Sequence, residues 1–544
     1  MKKIFLSLII AGFSTAQIAN AVVTFKPNPK AIQGGTMNYN LSSEPESLHP
    51  IMGGDLNGSY IENYTLSTLC ATDPNTNETV PSLAEKWELS KDGLVYTIHL
   101  RKNAFFHNGD PVTAEDVKFS FEAIREPKHQ ALSIIPYIEG FSKIEVIDPL
   151  TIRFTAKQKY FKNLEVICGG YVKVIPKSVY GDIEKSVKLQ KEVVGTGPYK
   201  IERYDKGQMV VLKRFDKWFG KDLPENKGVL NFDQVNFRFT KEDSIIIERF
   251  KKGELDFYEP KVVDTYLKAE KELGKKAKAY KVVNDMPKSY GFIGFNFRNP
   301  ILADLATREA LAHLTNRAEM NKKFRNNMSD LATGPAWVRS KQAADVKPIN
   351  YDPKKAQEIL KKVGWSDSDK DGILDRMVDG KKQEMKISLI YANKDNEKYW
   401  TILKEDAKKA GVEITLKFLE WNTFVKTIDD ANMDMFAMTW GAGSVEPDPK
   451  QIWHSNSIGK GGSNYGAYKN VEVDKLIDEG RIELDPKIRG EAFKKAYTLI
   501  AKDVPYIFLF NNKYEFYLAS NNMQKQGDTF RYDLGYTTWW MAGK

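Results

Sequence analysis

Apolar and polar residues alternate along several segments of the first half of the chain, and this spacing predicts β-strands. Residues 95–100 (VYTIHL) alternate throughout, and residues 143–154 have the pattern of two strands around a turn at Pro149. Residues 235–239 form a further alternating strand, and apolar residues at helical spacing follow it at 246–250. The first half is therefore predicted to be rich in strands, with helices that interrupt the sheet irregularly.

The second half has a more regular order of elements. MKISLIY (385–391), VEITLKFLEW (412–421) and MDMFAMTW (433–440) are predicted strands, the helical segment 396–411 lies between the first two, and a short helical stretch precedes the third. This order predicts a βαβ sheet, whose ligands normally bind beyond the carboxyl ends of the strands. The third strand runs into the glycine-rich loop GAGSVEPDP (441–449). We therefore expect a binding cleft at that loop.

The start of the chain has the pattern of a secretory signal peptide. Lys2 and Lys3 precede an apolar run at 4–13, and the polar stretch after it ends in a small-residue cleavage site, so cleavage is expected after Ala21. The apolar run is too short to cross a bilayer as a helix. No cysteine follows the cleavage point, so a lipid anchor is not expected. The mature chain is predicted to be a soluble exported protein of two or three domains.

Composition and charge narrow the class of protein. The chain has 544 residues, of which 42% are hydrophobic and 12% aromatic, as in well-packed globular proteins. Loss of Lys2 and Lys3 lowers the formal net charge from +9 to +7, and the remaining lysines are scattered among comparable numbers of acids. A nucleic-acid partner is therefore not expected.

The two cysteines, Cys70 and Cys168, lie too far apart in sequence for a CxxC redox or zinc motif. In an oxidising compartment they could form a disulfide, which would gain several kcal/mol from the closed loop in the chain-entropy model. Two separately buried thiols are an equally good reading of the sequence.

One histidine raises the question of catalysis. His107 lies close in sequence to Asp110, Glu115 and Asp116, as a general base near carboxylates would. However, Asn108 to Asp110 have turn chemistry, and Thr113 with Asp116 has the spacing of a capping box at the start of a helix. A catalytic histidine needs an orienting partner and a nucleophile or substrate, and the sequence indicates neither. A structural role for His107 is predicted.

The segment 83–124, LAEKWELSKDGLVYTIHLRKNAFFHNGDPVTAEDVKFSFEAI, closely resembles the bacterial family 5 extracellular solute-binding proteins, the oligopeptide, dipeptide and nickel receptors of ABC importers. The resemblance covers nearly the whole mature chain, and the segment 220–239 is most similar to the Yej-type branch, whose members serve peptide, peptide-antibiotic and, in some bacteria, muropeptide uptake. Further matches follow in family order: VVGTGPYKIERYDKGQMVVLKRFDKWFG, FKKGELDF, GFIGFNFRNPILADLATREALAHLTNR, YDPKKAQEILKKVGW, NVEVDKLIDEG and AYTLIAKDVPYIFLF.

The resemblance implies an α/β, two-lobed fold of the periplasmic-binding-protein type, type II, in the large peptide-receptor class. Lobe I would comprise residues 22–290 plus 505–544, including an extra subdomain at about 60–200, and lobe II would comprise 291–504. The implied function is a periplasmic receptor, not an enzyme, that binds oligopeptides or modified peptides between the lobes. Its partners would be the peptide ligand and the membrane permease of the importer, and the protein would be a monomer.

The resemblance also implies where the ligand amine would bind. In peptide-binding members an aspartate three residues after the tryptophan that ends the last strand commonly holds this amine. Here Trp440 is present, but the matching position is Gly443. Either Glu446 or Asp448 replaces the missing carboxylate, or the ligand has no free amine there, as in a blocked or sugar-linked peptide. Trp440 could stack on the ligand or pack in the core.

Five further positions are weaker candidates for ligand contacts, and their place in the sequence is the reason for choosing them. Two follow the first strand, one lies at the crossing into lobe II, and two lie in the glycine-rich loop. These candidates are Ser42, Glu44, Asn296, Gly441 and Ser444.

The acidic segment DSDKDGILD (367–375) fits the first nine positions of a calcium loop, with Gly372 at the sixth. The twelfth position is Val378 where an EF-hand has a bidentate glutamate, so a full EF-hand is excluded. No cofactor is required; a structural calcium ion and a solvated acidic turn both fit the segment. The candidate ligands are Asp367, Asp369, Asp371 and Asp375.

Other functions remain as alternatives. An exported hydrolase acting on peptides is the main rival, although the chain has no GxSxG, HExxH or Walker motif, and its six histidines (49, 99, 107, 129, 313 and 454) have no metal-ligand spacing. An adhesin or structural surface protein is a third class. Within the solute-binding family, a nickel chelate is an alternative ligand.

Overall fold

A computed structural model describes residue 28 and residues 31–53, 55–131, 134–260, 262–286, 288–378, 380–441, 443–459, 461–525 and 530–542. The predicted signal peptide lies outside the described residues. The chain divides into two compact units, the first made of Met1–Thr36, Leu41–Asp73 and Glu78–Phe239, and the second of Met37–Asn40, Pro74–Asn77 and Thr240–Lys544. Among the described helices, none is both long enough and apolar enough to cross a membrane.

Strand β1 covers Thr36–Leu41, and its residues 37–40 belong to the second unit. The further strands of the first unit are β2 Cys70–Thr72, β3 Thr79–Pro81, β4 Ala84–Leu89, β5 Val95–Leu100, β6 Phe141–Asp148, β7 Thr151–Ala156, β8 Tyr199–Asp205, β9 Met209–Arg214 and β10 Gln234–Phe239. Its α-helices are α1 Leu56–Thr65, α2 Ala114–Ala123, α3 Ile135–Ile138, α4 Asn163–Cys168, α5 Lys177–Tyr180 and α6 Ile183–Ser186.

The first unit contains a four-stranded antiparallel sheet in the order β4-β5-β7-β6, and β8, β9 and β10 pair as an antiparallel meander. The predicted strands at 95–100, 143–154 and 235–239 are confirmed as β5, β6 with β7, and β10. Alternate residues of β5 are buried because one face of the sheet packs against α2. Phe121 of α2 lies 4.9 Å from Phe154 of β7, measured between ring centroids.

Cys70 and Cys168 form a disulfide within the first unit. Cys70 begins β2 and Cys168 ends α4, and both are buried. The bond joins positions 98 residues apart in sequence. Of the two alternatives that the sequence left open, a disulfide and two separate thiols, the structure has the disulfide.

His107 has a structural role, as predicted. The N–H of Gly195 donates to His107 Nδ1 at 3.3 Å, and His107 Nε2 donates to the carbonyl oxygen of Gly197 at 3.0 Å. Both ring nitrogens therefore hold the backbone at Gly195 and Gly197 by hydrogen bonds. Burial lowers the pKa of His107 to about 4. Thr113 and Asp116 form the predicted capping box at the start of α2.

The strands of the second unit are β11 Phe257–Tyr258, β12 Ala277–Val282, β13 Tyr290–Phe295, β14 Ser329–Leu331, β15 Asp375–Val378, β16 Lys381–Glu384, β17 Lys386–Tyr391, β18 Glu413–Phe418, β19 Met435–Trp440, β20 Tyr506–Asn512, β21 Glu515–Ser520, β22 Met523–Gln524 and β23 Trp540–Met541. Its α-helices are α7 Asp243–Lys251, α8 Val263–Leu273, α9 Pro300–Ala303, α10 Leu305–His313, α11 Arg317–Arg325, α12 Pro353–Lys362, α13 Glu397–Lys408, α14 Trp421–Asp429, α15 Lys450–Trp453, α16 Val471–Ile482 and α17 Pro486–Asp503.

A six-stranded sheet in the order β14-β20-β13-β19-β17-β18 forms the centre of the second unit. Strand β17 is parallel to both β18 and β19, with Ile387 opposite Ile414 and Leu389 opposite Met435. The predicted strand, helix, strand, helix, strand order is confirmed by β17, α13, β18, α14 and β19. The carboxyl ends of three strands therefore meet at one edge of the sheet.

One predicted boundary in this region is wrong. The segment 412–421 was expected to be strand throughout, but β18 ends at Phe418 and Trp421 begins α14. Phe424 and Ile428, which follow this segment in α14, are buried at helical spacing, so the chain gains core contacts by turning into a helix at Trp421. This change of conformation places Trp421 at the start of a helix instead of on a strand.

We expect acid to destabilise the first unit through His107. Its pKa of about 4 lies below the ordinary value of 6.5, so the folded state favours the neutral ring. The stabilisation is complete above pH 6.5 and is lost as the pH falls towards 4. After allowance for solvent screening, the contribution lost between pH 7.5 and pH 5 is roughly 1 to 2 kcal/mol.

Urea unfolding of the wild type and of His107→Gln at pH 7.5 and pH 5.0, followed by tryptophan fluorescence, measures this contribution. The decrease in unfolding free energy between the two pH values should be smaller in the variant by the stated amount. His49, whose pKa burial also lowers to about 4, is unchanged in the variant, so some acid sensitivity remains. An equal decrease in both proteins would contradict the role given to His107.

Candidate functional site

The glycine-rich loop after β19 borders a pocket, which we call the loop pocket. Its volume is about 100 Å³, and Trp440 at the end of β19 forms part of its wall. The side chain of Lys288 is buried in this wall, where it forms an ion pair with Glu515. Other lining residues used below are Trp337, Ser340, Gly441, Ser444 and Asp448.

Trp440 is held in a stack of aromatic rings. Its ring is nearly parallel to that of Phe292, at 5.9 Å and 16°, and to that of Tyr465, at 6.2 Å and 10°. The ring thus packs against other aromatic side chains and also lines the loop pocket. A ligand contact by Trp440 stays a prediction.

Glu446, one of the two acids considered for the ligand amine, is bound to an arginine. Arg489 donates from Nε to Oε1 at 3.0 Å and from Nη2 to Oε2 at 2.7 Å, and Gln342 also donates to Oε1 at 2.8 Å. Arg489 is 7% exposed, so this two-bond pair is largely shielded from water. The charge of Glu446 is therefore already compensated within the protein.

Asp448 is engaged in the same way. Arg481 Nε donates to its Oδ2 at 2.8 Å, and the backbone N–H of Lys450 donates to its Oδ1 at 3.0 Å. An ammonium group that replaced either arginine would leave a partly buried guanidinium without its counter-charge, which is costly. Neither acid is therefore placed as a ready substitute for a carboxylate at position 443.

The other candidates in the loop are small and open. Gly441 and Gly443 are exposed, and a Cβ added at either would meet no atom within 4 Å. Ser444 makes a local turn, since its Oγ accepts from the N–H of Glu446 at 3.2 Å and donates to the carbonyl of Glu446 at 3.3 Å. The loop therefore has room for a larger side chain at 443.

The remaining candidates have bonds within their own units. In the first unit, Ser42 donates to Asn57 at 3.2 Å, and Glu44 accepts from the hydroxyl of Tyr204 at 2.7 Å. In the second unit, Asn296 is buried and its Nδ2 donates to the carbonyl of Met433 at 2.8 Å. These bonds give Glu44 and Asn296 structural roles, and ligand contacts by the three residues stay predictions.

A second pocket, of about 300 Å³, lies at the carboxyl ends of β17 and β19, and we call it the strand-end pocket. Trp421 lines it with 59% of its surface exposed and stacks on Phe424 at 5.9 Å and 20°. The indole N–H of Trp400 has no hydrogen-bond partner among the described residues. Other lining residues are Arg325, Tyr391, Asn393 and Thr439.

The strand-end pocket was not predicted from the sequence. The glycine-rich loop alone was expected to border the cleft, and Trp421 was assigned to the predicted strand 412–421. The order strand, helix, strand was a usable signal, because the residues that follow β17 and β19 must lie at the same sheet edge. Tyr391 and Asn393 could have been chosen on that ground.

The acidic loop brings together three of its four candidate ligands. One carboxylate oxygen from each of Asp367, Asp369 and Asp371 lies within 4.8 Å of the others. Asp375 accepts hydrogen bonds from Ser368 instead, and Lys382 lies 2.9 Å from Asp369 and 3.4 Å from Asp375. The three clustered carboxylates are thus partly compensated by a lysine.

The structure places two histidines beside a serine, an arrangement that could suggest hydrolysis. His49 Nε2 lies 3.0 Å from Ser186 Oγ, and His129 Nε2 lies 3.2 Å from the same atom. All three side chains are almost completely buried, with His49 and Ser186 at 0% exposure and His129 at 2%. A substrate cannot reach this serine in the folded unit.

The sequence matches known proteins along most of its length. The profile of the bacterial extracellular solute-binding proteins, family 5 Middle, matches residues 78–462. The oligopeptide-binding protein AppA of Bacillus subtilis (strain 168) is 28% identical over 551 residues, which cover 99% of this chain and 97% of AppA.

Solved structures share the fold. The structure of AppA from Bacillus subtilis in complex with a nonapeptide superposes with a TM-score of 0.70 at 27% identity, covering 94% of this chain and 100% of that one. NikA from Brucella suis in complex with Fe(III)-EDTA superposes with a TM-score of 0.77 at 20% identity, covering 93% of this chain and 100% of that one.

The predicted fold class is confirmed: the chain is mixed α/β and has the fold of the two-lobed periplasmic binding proteins. The lobe boundaries, the extra subdomain and the likeness to the Yej-type branch stay predictions. Because the family profile matches well over half of the sequence, the chain belongs to the bacterial extracellular solute-binding proteins, family 5.

Proposed function

We propose that this protein is the receptor of an ABC importer and that it binds oligopeptides or modified peptides, which it delivers to the permease unaltered. The observation that carries the proposal is the strand-end pocket with its aromatic wall, on the sheet of a chain that belongs to a solute-binding family. The name of AppA, an oligopeptide-binding protein, and its complex with a nonapeptide support a peptide as the ligand.

The strand-end pocket would hold one part of the ligand. Its volume of about 300 Å³ is at the lower end of the range for small-molecule sites, so it suits a side chain and the adjoining backbone better than a whole peptide. The exposed face of Trp421 supplies an apolar surface, and Trp400, whose buried indole N–H has no partner among the described residues, lies in the same wall. Side chains of several shapes can enter such a site when water fills the remaining space.

Binding without catalysis fits the described chemistry best. The serine and histidine cluster at Ser186 is closed to substrate, and neither the loop pocket nor the strand-end pocket has a histidine among its described lining residues. The same observation disfavours a nickel chelate held by protein imidazoles. We also propose that the protein acts as a monomer in the periplasm after removal of residues 1–21.

Titration of the purified mature protein with peptides of two to nine residues, followed by mass spectrometry of the mixture, tests the function. We expect one peptide bound per protein, with its mass unchanged after release. Cleaved peptides formed in catalytic amounts would overturn the receptor proposal and favour a hydrolase, and retention of a metal chelate in place of peptide would favour the nickel alternative.

Trp421→Ala tests whether the strand-end pocket takes part. Removing the indole should lower peptide affinity about tenfold, which corresponds to about 1.4 kcal/mol of lost apolar and stacking contact. Little stability should be lost, because most of the ring is exposed. Val471→Ala, at a site 86% exposed on α16, is the control and should leave affinity unchanged. Equal peptide affinity in Trp421→Ala and Val471→Ala would show that the strand-end pocket is not part of the binding site.

We further propose that the ligand has no free amine near position 443. Glu446 and Asp448 are each paired with an arginine, and Lys288 in the wall of the loop pocket is paired with Glu515. Two residues of this wall, Trp337 and Ser340, also have a buried donor without a partner among the described residues, Nε1 and Oγ respectively. Such a wall favours hydrogen-bond acceptors, as in an acylated or sugar-linked end, over an ammonium group.

Gly443→Asp should create an amine site where there is none. The open space around Gly443 admits the side chain, and a charge-assisted bond to an ammonium is worth roughly 1.5 to 3 kcal/mol. Calorimetric titration with a free-amine peptide and its N-acetylated form should show at least about a tenfold gain for the free amine alone. Gly443→Asn, which has nearly the same shape without the charge, should show no such gain. If Gly443→Asp has the same affinity for the free-amine peptide as the wild type, the ligand amine lies elsewhere.

We propose that the acidic loop binds a structural calcium ion, which the three clustered carboxylates support. Calcium needs six to eight oxygen ligands, so water would supply several of them. Adding calcium to protein treated with chelator should raise the melting temperature, and Asp367→Asn with Asp371→Asn should abolish the increase. Magnesium at the same concentration is the control. An equal melting temperature with and without calcium would leave the segment as a solvated acidic turn.

A further inference from the structure

A third pocket in the second unit is separate from the two described above, and we call it the Arg317 pocket. Its volume is about 260 Å³, and it lies among α10, α11, β20 and the chain at 346–349. Most of its wall is apolar or backbone. Its charged lining residues are Arg317, Lys347, Lys502 and Glu309.

Arg317 is buried, with 6% of its surface exposed, and its hydrogen-bond partners among the described residues are all backbone carbonyls. Nη1 donates to Ala332 at 2.8 Å and to Phe508 at 2.6 Å, and Nη2 donates to Ile349 at 2.6 Å. A guanidinium has five N–H groups, so Nε–H and one Nη2–H have no partner among the described residues. The edge formed by Nε and Nη2 therefore has donor capacity left.

The charge of Arg317 is also uncompensated. No ion pair joins it to an acid among the described residues, and burial alone lowers the pKa of its guanidinium, to about 10. Carbonyl dipoles satisfy hydrogen bonds but carry no net charge, and a buried cation without an anion is costly. The exposed Lys347 and Lys502 add positive charge around the pocket, against the single acid Glu309.

Arg308, on the preceding helix, shows what a purely structural arginine looks like in this unit. It is also buried, at 3% exposure, and it donates from Nε to Val504 and from Nη1 and Nη2 to three further carbonyls. The nearby acids Asp503 and Asp304 raise the pKa of its guanidinium, although burial outweighs them and lowers it to about 10. Arg317 differs in both respects, since among the described residues its Nε has no hydrogen-bond partner and no acid forms an ion pair with it.

We propose that the Arg317 pocket binds a small oxyanion, with a carboxylate held by the Nε and Nη2 edge of Arg317. A planar carboxylate accepts two parallel bonds from that edge, and phosphate has the same acceptor chemistry. Lys347 and Lys502 would attract the anion to the pocket. The bound anion would stabilise the second unit, because it neutralises a cation that the fold has already buried.

Differential scanning fluorimetry of the full mature chain tests the proposal with sodium succinate and with sodium phosphate, against sodium chloride at equal ionic strength. Succinamide, which has the size of succinate without its charges, is the matched neutral probe. We expect succinate at tens of millimolar to raise the melting temperature by about 2 °C or more over chloride, with no increase from succinamide. An increase with phosphate alone would identify the oxyanion as phosphate.

Lys347→Gln with Lys502→Gln should at least halve the increase, whereas Lys354→Gln, an exposed lysine on α12 that does not line the pocket, should leave it unchanged. Arg317→Lys keeps the charge but loses the two-bond edge, and it should abolish the increase if the variant melts cooperatively. If that variant does not fold, the double lysine variant decides. No increase over chloride in the wild type, or an equal increase in the double lysine and Lys354→Gln variants, would overturn the proposal.

Discussion

The parallel pairing of β17 with β18 and β19 is the constraint on which the candidate site depends. Parallel strands present their carboxyl ends at the same edge, so the residues after β17 and those at the end of β19 come together although they are distant in sequence. The strand-end pocket forms at that edge, and the glycine-rich loop continues from the end of β19. A different pairing of β19 would separate these elements and remove the pocket.

Arginine pairs then decide what the glycine-rich loop can bind. The loop has two acids, which in sequence suggest attraction for an amine, but in the folded unit Arg489 and Arg481 compensate both. The donor character of the loop pocket therefore comes from Trp337 and Ser340, whose Nε1 and Oγ have no partner among the described residues, because Lys288, like Glu446 and Asp448, is paired with an opposite charge. The resemblance to the family implies a carboxylate at this position, and the glycine at 443 together with the paired acids is the basis for the proposal of a ligand end without a free amine.

The first unit shows that polar residues grouped in space need not form an active site. His49, His129 and Ser186 have distances that fit a catalytic arrangement, but their burial leaves no path for a substrate. His107 likewise bonds two backbone groups and has little capacity left for chemistry. Accessibility, as much as geometry, therefore separates a structural histidine from a catalytic one.

Local patterns were enough to predict much of the fold. The alternation in 95–100, the capping box at Thr113 and the order of β17, α13, β18, α14 and β19 all follow from interactions between residues close in sequence. The motifs of the family extended this to the fold class. The predicted end of β18 was wrong because the alternating strand pattern continues past Phe418. Only the core contacts of Phe424 and Ile428 favour a helix from Trp421 onwards.

Other features depended on contacts between distant residues, which no local pattern encodes. The pairing of Glu446 with Arg489 spans 43 positions, and the carbonyl of Phe508 that binds Arg317 lies 191 positions away. The sequence by itself determined the order of elements and the glycine at 443, because these depend on short-range spacing and residue identity. Tertiary structure alone decided which charges are paired and which donors remain open, because burial and distance arise only when separate segments pack together.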